Sequence, residues 1–402
     1  MNRTCNKAEN NVDHEKRTVI NKTCRDIIAL TFVPGLGPKR IILLLEEIPE
    51  TEDIFRCSRS RLMEIAGMRS EQAGKIRSIR DSKEYGEELA YLEKEGIGAV
   101  SYKDESYPEE LRNIYDPPPV LYFSGDLYPR DADAVAVIGA RKCSLYGLQM
   151  AEKLGYELAE RGVTVVSGMA RGIDSAAHRG ALKAGGRTIA VMGSGFCHIY
   201  PAESGKLMRS ISEKGAVLTE YPSGTLPLRS NFPRRNRIIS GMSRGVVVVE
   251  AARKSGAMIT VDLALEQGKE VFAVPGRADF LVSGGTNTLI QNGAKLVMGV
   301  DDILEELDLQ NKARKRLPGD ANAGERAPEQ EDLASRELSP GEKKIFGVLK
   351  EERSTHVDRL YDRAGLDRSE LSESLLRLEI AGLISALPGG NYVIRRKEAH
   401  VT

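Results

Sequence analysis

Residues 134–147 read AVAVIGARKCSLYG, a run of small and β-branched residues followed by a turn with glycine, arginine and lysine. Such a run is typical of a strand buried on both faces. Similar runs follow in VTVVSG, TIAVMG, AVLTE, GVVVVEA and EVFAVPG, with amphipathic segments between them. The repeated strand and helix pattern predicts an α/β domain over residues 134–309, built on a doubly wound, Rossmann-like parallel sheet.

The two ends of the chain predict smaller domains. Residues 25–82 alternate short helical patterns with glycine hairpins, as in FVPGLGPKRIILLLEEI from Phe32, which is typical of a helix-hairpin-helix or SAM-like domain. Such a hairpin can bind a phosphate through free N–H groups at the next helix, although a purely structural hairpin has the same pattern. Residues 339–402 predict three helices and a β-ribbon, the layout of a winged helix.

Three other segments lack a domain pattern. Residues 1–24 are polar and are predicted to form a disordered leader. Residues 83–133 contain a run of three prolines and are interpreted as a connecting segment. Residues 310–338 are charged and rich in alanine and proline, and therefore predict a flexible linker.

Charge is distributed unevenly along the chain. The 402 residues include 58 basic and 58 acidic side chains, but residues 134–300 hold 21 basic against 12 acidic. This local surplus favours a nucleic-acid partner. No apolar stretch approaches the roughly 18 residues of a membrane span. The five scattered cysteines argue against a zinc site or a disulfide framework, so we expect a cytoplasmic protein without a metal.

The turn after the first predicted strand does not suit a dinucleotide. Arg141 stands where the GxGxxG motif requires its second glycine, and Ser167 and Gly168 follow the second strand where a ribose-binding carboxylate is expected. We therefore predict no cofactor. An arginine and a lysine beside N–H groups at a helix start can bind a phosphate instead, although a plain turn with two solvated charges remains the alternative.

Other basic, glycine-rich turns follow the later strands. The segment LRSNFPRRNRIISG from Leu228 surrounds Phe232 with arginines. This pairing suits a single strand, because bases stack on the ring while phosphates bind guanidinium groups; the alternative is a solvated basic helix face. The complete predicted DNA-binding set is Gly139, Arg141, Lys142, Ser167, Gly168, Arg171, Gly172, Arg229, Phe232, Arg234, Arg235, Asn236, Arg237, Lys254, Ser255 and Gly256.

The segment SGMARGIDSAAHRGAL places Asp174 and His178 four residues apart on a predicted helix. The two could form an acid-base pair, but no candidate nucleophile or set of metal ligands accompanies them. A helix-capping aspartate and a histidine with a buried hydrogen bond are favoured. We therefore expect no catalytic residue.

Several strings together resemble the DNA-processing protein A family, also called DprA or Smf. They are GARKCSLYG, SGMARGID, IAVMGSGFCHIYP, LTEYPSGTLP, FPRRNRIISG and VVVVEAARKSGAMIT, and they cover about residues 130–300 in order. The resemblance implies a single-stranded DNA-binding homodimer that protects incoming DNA and loads the RecA recombinase during natural transformation. It also implies DNA contacts for a set of arginines, Arg141, Arg171, Arg234, Arg235 and Arg237.

Two other functions stay open at this point. The chain could be an enzyme resembling nucleotide phosphoribohydrolases, but SGGTNTLIQ places Gln291 where such enzymes carry a carboxylate, and an amide is neither acid nor base near neutrality. It could also be a protein-interaction scaffold acting through the winged helix. Residues 335–402 hold 12 basic and 11 acidic side chains, so this tail should attract DNA only weakly. We expect a non-enzymatic, DNA-binding protein.

Overall fold

The computed structural model describes residues 20–309, 339–351, 355–380, 383–387 and 391–394. The chain forms two compact units, Met1–Arg316 and Leu317–Thr402. The predicted linker and most of the predicted leader lie outside the described residues.

Short helices open the first unit. They are α1 (Lys22–Thr31), α2 (Pro38–Glu47), α3 (Thr51–Arg56), α4 (Arg59–Ala66) and α5 (Ser70–Ile76). The Asn21 side chain accepts a hydrogen bond from the Cys24 amide at 2.7 Å, so α1 begins inside the segment predicted as a leader. The hairpin before α2 turns at Gly35, whose φ of 75° is in the left-handed region that favours glycine. This is the predicted helix-hairpin-helix arrangement.

Residues 83–133 add strands to the fold as well as a connection. They form α6 (Lys83–Glu95), β1 (Gly98–Ser101), α7 (Glu109–Arg112) and β2 (Val120–Gly125). The two strands pair in antiparallel fashion, and β2 joins the edge of the main sheet. The proline run ends directly before β2, because proline is tolerated next to a strand but not inside its hydrogen-bonded ladder. The sequence interpretation did not include these strands.

Parallel strands form the rest of the sheet. They are β3 (Ala134–Ile138), β4 (Thr164–Ser167), β5 (Thr188–Val191), β6 (Ala216–Thr219), β7 (Gly245–Val248), β8 (Glu270–Ala273) and β9 (Lys295–Leu296). The order in space is β1-β2-β6-β5-β4-β3-β7-β8-β9. Each strand run predicted from the sequence is present, and the doubly wound α/β sheet is confirmed.

Helices connect the parallel strands. They are α8 (Leu145–Glu160), α9 (Ile173–Lys183), α10 (Gly205–Lys214), α11 (Asn231–Gly241), α12 (Gly256–Glu266), α13 (Gly284–Gln291) and α14 (Val300–Glu306). From β3 the chain winds outward through β4, β5 and β6, whereas from β7 it winds the opposite way through β8 and β9. The loops after β3 and β7 therefore diverge, and open α/β sheets bind ligands at such a switch point.

The parallel strands β3, β4, β5, β6 and β7 are buried on both faces. Val135 and Val137 pack in one apolar cluster, and Ala136 and Ile138 in another, so successive side chains alternate between the two faces of the sheet. Burial on both faces explains why the strands appear in the sequence as continuous apolar runs.

The front helices and the sheet share an apolar core. Leu44 of α2, Tyr122 of β2 and Val217 of β6 belong to one buried cluster. Glu88 of α6 is also buried, and its carboxylate accepts hydrogen bonds from the Ser223 amide, at 2.9 Å, and from the Ser223 hydroxyl. Ser223 lies in the loop after β6, so α6 holds that loop in place.

The second unit has the element order of a winged helix. Its elements are α15 (Pro340–Glu351), β10 (Thr355–His356), α16 (Val357–Ala364), α17 (Arg368–Ile380), β11 (Ile384–Leu387) and β12 (Asn391–Ile394). The Ser339 amide donates to the Glu342 carboxylate at 2.8 Å and the Glu342 amide to the Ser339 hydroxyl at 3.2 Å, so a capping box opens α15. The predicted β-ribbon is present as β11 and β12, and Gly389 and Gly390 between them lie outside the described residues.

Across the described parts of both units, no helix has the length and apolar character required to cross a bilayer.

Candidate nucleic-acid interface

A cavity of about 820 Å³ lies at the switch point of the sheet, and we call it the groove. The loops after β3 and β4, the helix α11 and the start of α12 form its walls. The predicted residues that line it are Gly139, Arg141, Lys142, Arg229, Phe232, Arg235, Asn236, Ser255 and Gly256. The fold therefore brings together side chains from three distant parts of the sequence.

An exposed arginine lies over an aromatic ring in the groove. The guanidinium carbon of Arg141 is 5.2 Å from the ring centroid of Phe232. Tyr200, in the loop after β5, packs beside the same ring with the two centroids 5.3 Å apart. The sequence analysis did not select Tyr200, although it is an aromatic residue in a loop after a buried strand. The arrangement can hold a base by stacking and a phosphate by charge.

Glu250 holds the loop that carries Arg141. Its carboxylate follows β7 and accepts hydrogen bonds from the amide and hydroxyl of Ser144, at the start of α8. Its backbone oxygen accepts a hydrogen bond from the Ala140 amide at 2.7 Å. Because Ala140 and Ser144 lie on either side of Arg141, these contacts fix the loop. The sequence analysis missed Glu250, and the available signal was an acidic residue directly after a buried valine run, which needs a partner.

Arg235 is a buried cation at the wall of the groove. Its side chain donates hydrogen bonds to the backbone oxygens of Gly168, at 2.8 Å, and Val191. Burial lowers the pKa of Arg235 to about 10, which leaves it charged at neutral pH. A Cβ atom at position 168 would lie 2.5 Å from Arg235 Nη2. Gly168 therefore makes room for Arg235, which corrects the prediction that it contacts DNA.

Two further predicted residues lie inside the protein. Arg237 is 5% exposed and donates to both carboxylate oxygens of Glu220, at 2.6 and 2.8 Å. Ser167 is fully buried and donates its hydroxyl hydrogen to the Val137 oxygen at 2.7 Å. Both side chains are occupied within the fold, so the structure gives them stabilising roles instead of the predicted DNA contacts.

Other predicted residues lie beside the groove. Arg234 is exposed on α11, with its guanidinium 3.8 Å from Glu220. Lys254 is exposed in the turn before α12, and Gly172 is the residue directly before α9. The predicted arginines therefore do not all converge on one open surface.

Arg171 forms an ion pair at the edge of the groove. Its guanidinium contacts the Glu203 carboxylate, and both side chains are more than half exposed. Arg171 follows Ala170 in the turn after β4, and Glu203 follows Tyr200 in the loop after β5. Because Ala170 and Tyr200 line the groove, the pair connects two of its walls. A phosphate that binds Arg171 has to compete with Glu203.

Replacing Glu203 with Gln should strengthen DNA binding by a factor of about two to five. The gain is small because an exposed ion pair competes only weakly with a phosphate for the arginine. Removal of the carboxylate leaves the Arg171 guanidinium available to a phosphate. Fluorescence anisotropy with a labelled single strand measures the change. In the Arg171→Ala background the same replacement should have no effect, and an equal gain in that background would contradict the competition.

Asp174 and His178 do not form an acid-base pair. His178 is fully buried, and its Nδ1 is 2.7 Å from the Thr188 hydroxyl. Asp174 lines the groove and accepts a weak hydrogen bond from the Ala170 amide at 3.4 Å, while the helix cap is Gly172. The buried histidine is therefore confirmed, whereas the aspartate belongs to the first turn of α9 and is not its cap.

His178 should make the protein less stable in acid. Burial lowers its pKa from 6.5 to about 3, so the native state stays neutral while the unfolded chain takes up a proton. Stability is therefore lost as the pH falls from 6.5 towards 3, by about 2.7 kcal/mol at two units below the unfolded pKa. Denaturant unfolding over this range measures the slope. His178→Gln should flatten it, whereas His198→Gln should not, and parallel slopes in both variants would contradict the assignment.

The lining of the groove is cationic. Arg141, Lys142, Arg229 and Arg235 contribute guanidinium and ammonium groups. Asp174 is the only carboxylate among the described lining residues. Burial raises the pKa of this carboxyl, while nearby Arg235 opposes the rise. An anionic ligand is therefore favoured.

Comparison with known proteins matches three family descriptions to successive parts of the chain. DNA recombination-mediator protein A matches residues 98–308, and the DprA winged helix domain matches residues 329–390. The SAM-like helix-hairpin-helix tandem matches residues 27–79.

Individual relatives are similar over most of their length. Protein Smf of Synechocystis is 34% identical over 387 residues, which cover 91% of this chain and 97% of the relative. Protein Smf of Escherichia coli is 41% identical over 78% of this chain and 81% of the relative. The X-ray structure of DNA processing protein A from Streptococcus pneumoniae is similar with a TM-score of 0.62 and 38% identity, over 70% of this chain and 97% of that one.

Proposed function

The chain belongs to the DNA recombination-mediator protein A family, and from that premise we propose that it binds single-stranded DNA in the groove. One observation carries this proposal: exposed Arg141 lies over the Phe232 ring in a cationic cavity. A ring with an adjacent guanidinium offers a base a stacking surface and offers the neighbouring phosphate an opposite charge. Buried Arg235 adds positive charge to the wall.

The groove favours a single strand over a duplex. In a duplex the bases are paired and stacked on each other, so none of them is available to Phe232. A cavity of about 820 Å³ has the size of a small-ligand site and can enclose a short stretch of single strand. Sequence preference should be weak, because every base has a π-face and phosphates carry no base identity.

Fluorescence anisotropy with single-stranded and duplex oligonucleotides over a salt series tests the proposal. We expect tighter binding to the single strand, with an affinity that falls as salt rises by a logarithmic slope of about 0.7 for each neutralised phosphate. Equal affinity for both forms, or an affinity for the single strand that does not depend on salt, would overturn the proposal.

The family resemblance extends the proposal to partners. We propose that the bound strand is protected and passed to the RecA recombinase during natural transformation in the cytoplasm, by a homodimer of this chain. Light scattering of the purified chain tests the dimer, and the rate of RecA filament growth on single-stranded DNA tests the transfer.

We propose that this function requires no catalysis. The segment compared above with phosphoribohydrolases forms α13, where the Asn287 side chain accepts from the Gly276 amide at 3.2 Å and donates to the Gly276 oxygen at 2.9 Å. Gln291 is exposed at the end of that helix. This supports a structural role for the segment. Release of free base from nucleoside monophosphates by the purified chain would overturn this part of the proposal.

A further inference from the structure

A second pair of an aromatic ring and a cation lies outside the groove. Tyr115, in the loop between α7 and β2, is 88% exposed. The Nζ atom of Lys39, near the start of α2, lies 3.6 Å from the centroid of its ring. One face of the ring is therefore covered by an ammonium group, while most of the side chain stays open to solvent. This repeats the chemistry of Phe232 with Arg141.

Helix α11 contributes residues to two cavities, one near the Phe232 and Arg141 pair and one near the Tyr115 and Lys39 pair. Phe232 and Asn236 of this helix line the groove. Arg234 of the same helix lines a second cavity, of about 360 Å³, together with Lys39, Arg40 and Asp116. Asp116 follows Tyr115 in the chain, so the second cavity lies beside the exposed ring. A strand that crosses α11 can therefore pass from one cavity to the other.

The carboxylates near this crossing already have cationic partners. Asp116 Oδ2 is 3.5 Å from Arg237 Nε, and Glu220 is engaged by Arg237 through both oxygens. Among the described residues, Arg234 has only a long ion-pair contact, of 3.8 Å with Glu220. Lys39 and Arg40 therefore leave a cationic surface next to Tyr115, and such a surface attracts phosphate.

We propose that a single strand leaving the groove crosses α11 at Arg234 and stacks an unpaired base on Tyr115, with its phosphate beside Lys39 and Arg40. This inference rests on the proposed function, because it extends the same strand beyond the groove. It gives the front helices a direct part in setting how many nucleotides are bound. Strands that fill only the groove do not reach Tyr115, whereas longer strands do.

The chain contains no tryptophan, so Tyr115→Trp introduces a single indole whose emission reports on stacking. Single strands of about 4 and about 16 nucleotides span the range of site sizes in single-strand binding folds. We expect the longer strand to quench the indole emission at saturation and the shorter strand to leave it unchanged. Lys39→Gln should weaken binding of the longer strand by about threefold without affecting the shorter one.

Tyr128→Trp is the matched control. Tyr128 is also an exposed tyrosine with arginines over its ring, Arg130 at 4.9 Å and Arg187 at 4.7 Å. It precedes β3, at the amino-terminal end of that strand, whereas the groove lies at the carboxyl ends of the strands. Its indole should not respond to either strand.

Anisotropy recorded on the same samples separates a failure of this inference from a failure of the proposed function. A rise in anisotropy with the longer strand, without quenching in Tyr115→Trp, would overturn this inference and leave the proposed function standing. Equal quenching in both tryptophan variants would also overturn it. No rise in anisotropy with any single strand would overturn both.

Discussion

The Arg141→Ala variant should bind single-stranded DNA about tenfold more weakly than the unchanged chain. Arg141 is exposed over the Phe232 ring. The replacement therefore removes a partner for phosphate and also the contact between the guanidinium and the ring on which a base stacks. The salt dependence should also become shallower, by a logarithmic slope of about 0.7 for one lost phosphate contact. Fluorescence anisotropy over a salt series measures the affinity and the slope.

Arg209→Ala is the control for the loss of one positive charge. Arg209 is exposed on α10 and does not line the groove. Its replacement should leave both the affinity and the salt slope nearly unchanged. The melting temperature of Arg141→Ala should match that of the unchanged chain, because the side chain is exposed. An affinity loss that is equal for the two variants would contradict the role given to Arg141.

The Arg237→Ala variant should lose about 3 to 5 kcal/mol of unfolding free energy, the usual effect of breaking a buried ion pair. Arg237 is 5% exposed, and removal of its guanidinium leaves the buried Glu220 carboxylate without its bidentate partner. Denaturant unfolding of the full chain measures the loss. The salt slope of DNA binding should not change while the variant remains folded, because Arg237 does not reach the groove.

A double variant that replaces both members of the buried ion pair with apolar residues tests the cause of that loss. Replacing Arg237 with Met and Glu220 with Leu together removes both buried charges, and should recover much of the stability lost in the single variant. A single variant as stable as the unchanged chain would show that the pair contributes little. A double variant less stable than the single one would show that packing, and not the unpaired carboxylate, dominates.

The segment FPRRNR shows how far sequence reasoning can reach. Its composition correctly predicted a basic element beside an aromatic ring. It did not predict that the three arginines have different surroundings. Arg234 is exposed, Arg235 donates to backbone oxygens and Arg237 is paired with Glu220. Adjacent helical positions point about 100° apart, so similar residue types in one short segment can have different roles. The partner of Arg237, Glu220, lies in another element, directly after β6.

The sheet was predictable because its central strands are continuous apolar runs. The antiparallel strands β1 and β2 were not, since β1 begins with glycine and ends with serine instead of forming an apolar run, and β2 follows a proline run. Tyr115 was missed for a related reason: its relation to Lys39 depends on how the front helices pack against the sheet. Contacts between elements distant in sequence leave no local pattern, so periodicity cannot reveal them.

The apolar core common to the front helices and the sheet limits how this protein can be divided or recombined. A truncated version beginning at Ala134 would lose the apolar side chains that bury Val217 and Met192. It would also lose the Glu88 carboxylate, which accepts a hydrogen bond from the Ser223 amide. We expect such a truncation to aggregate, although none of the described residues before Ala134 lines the groove. Chimaeras that exchange the front helices between relatives should fold only when both sides of this shared core are exchanged together.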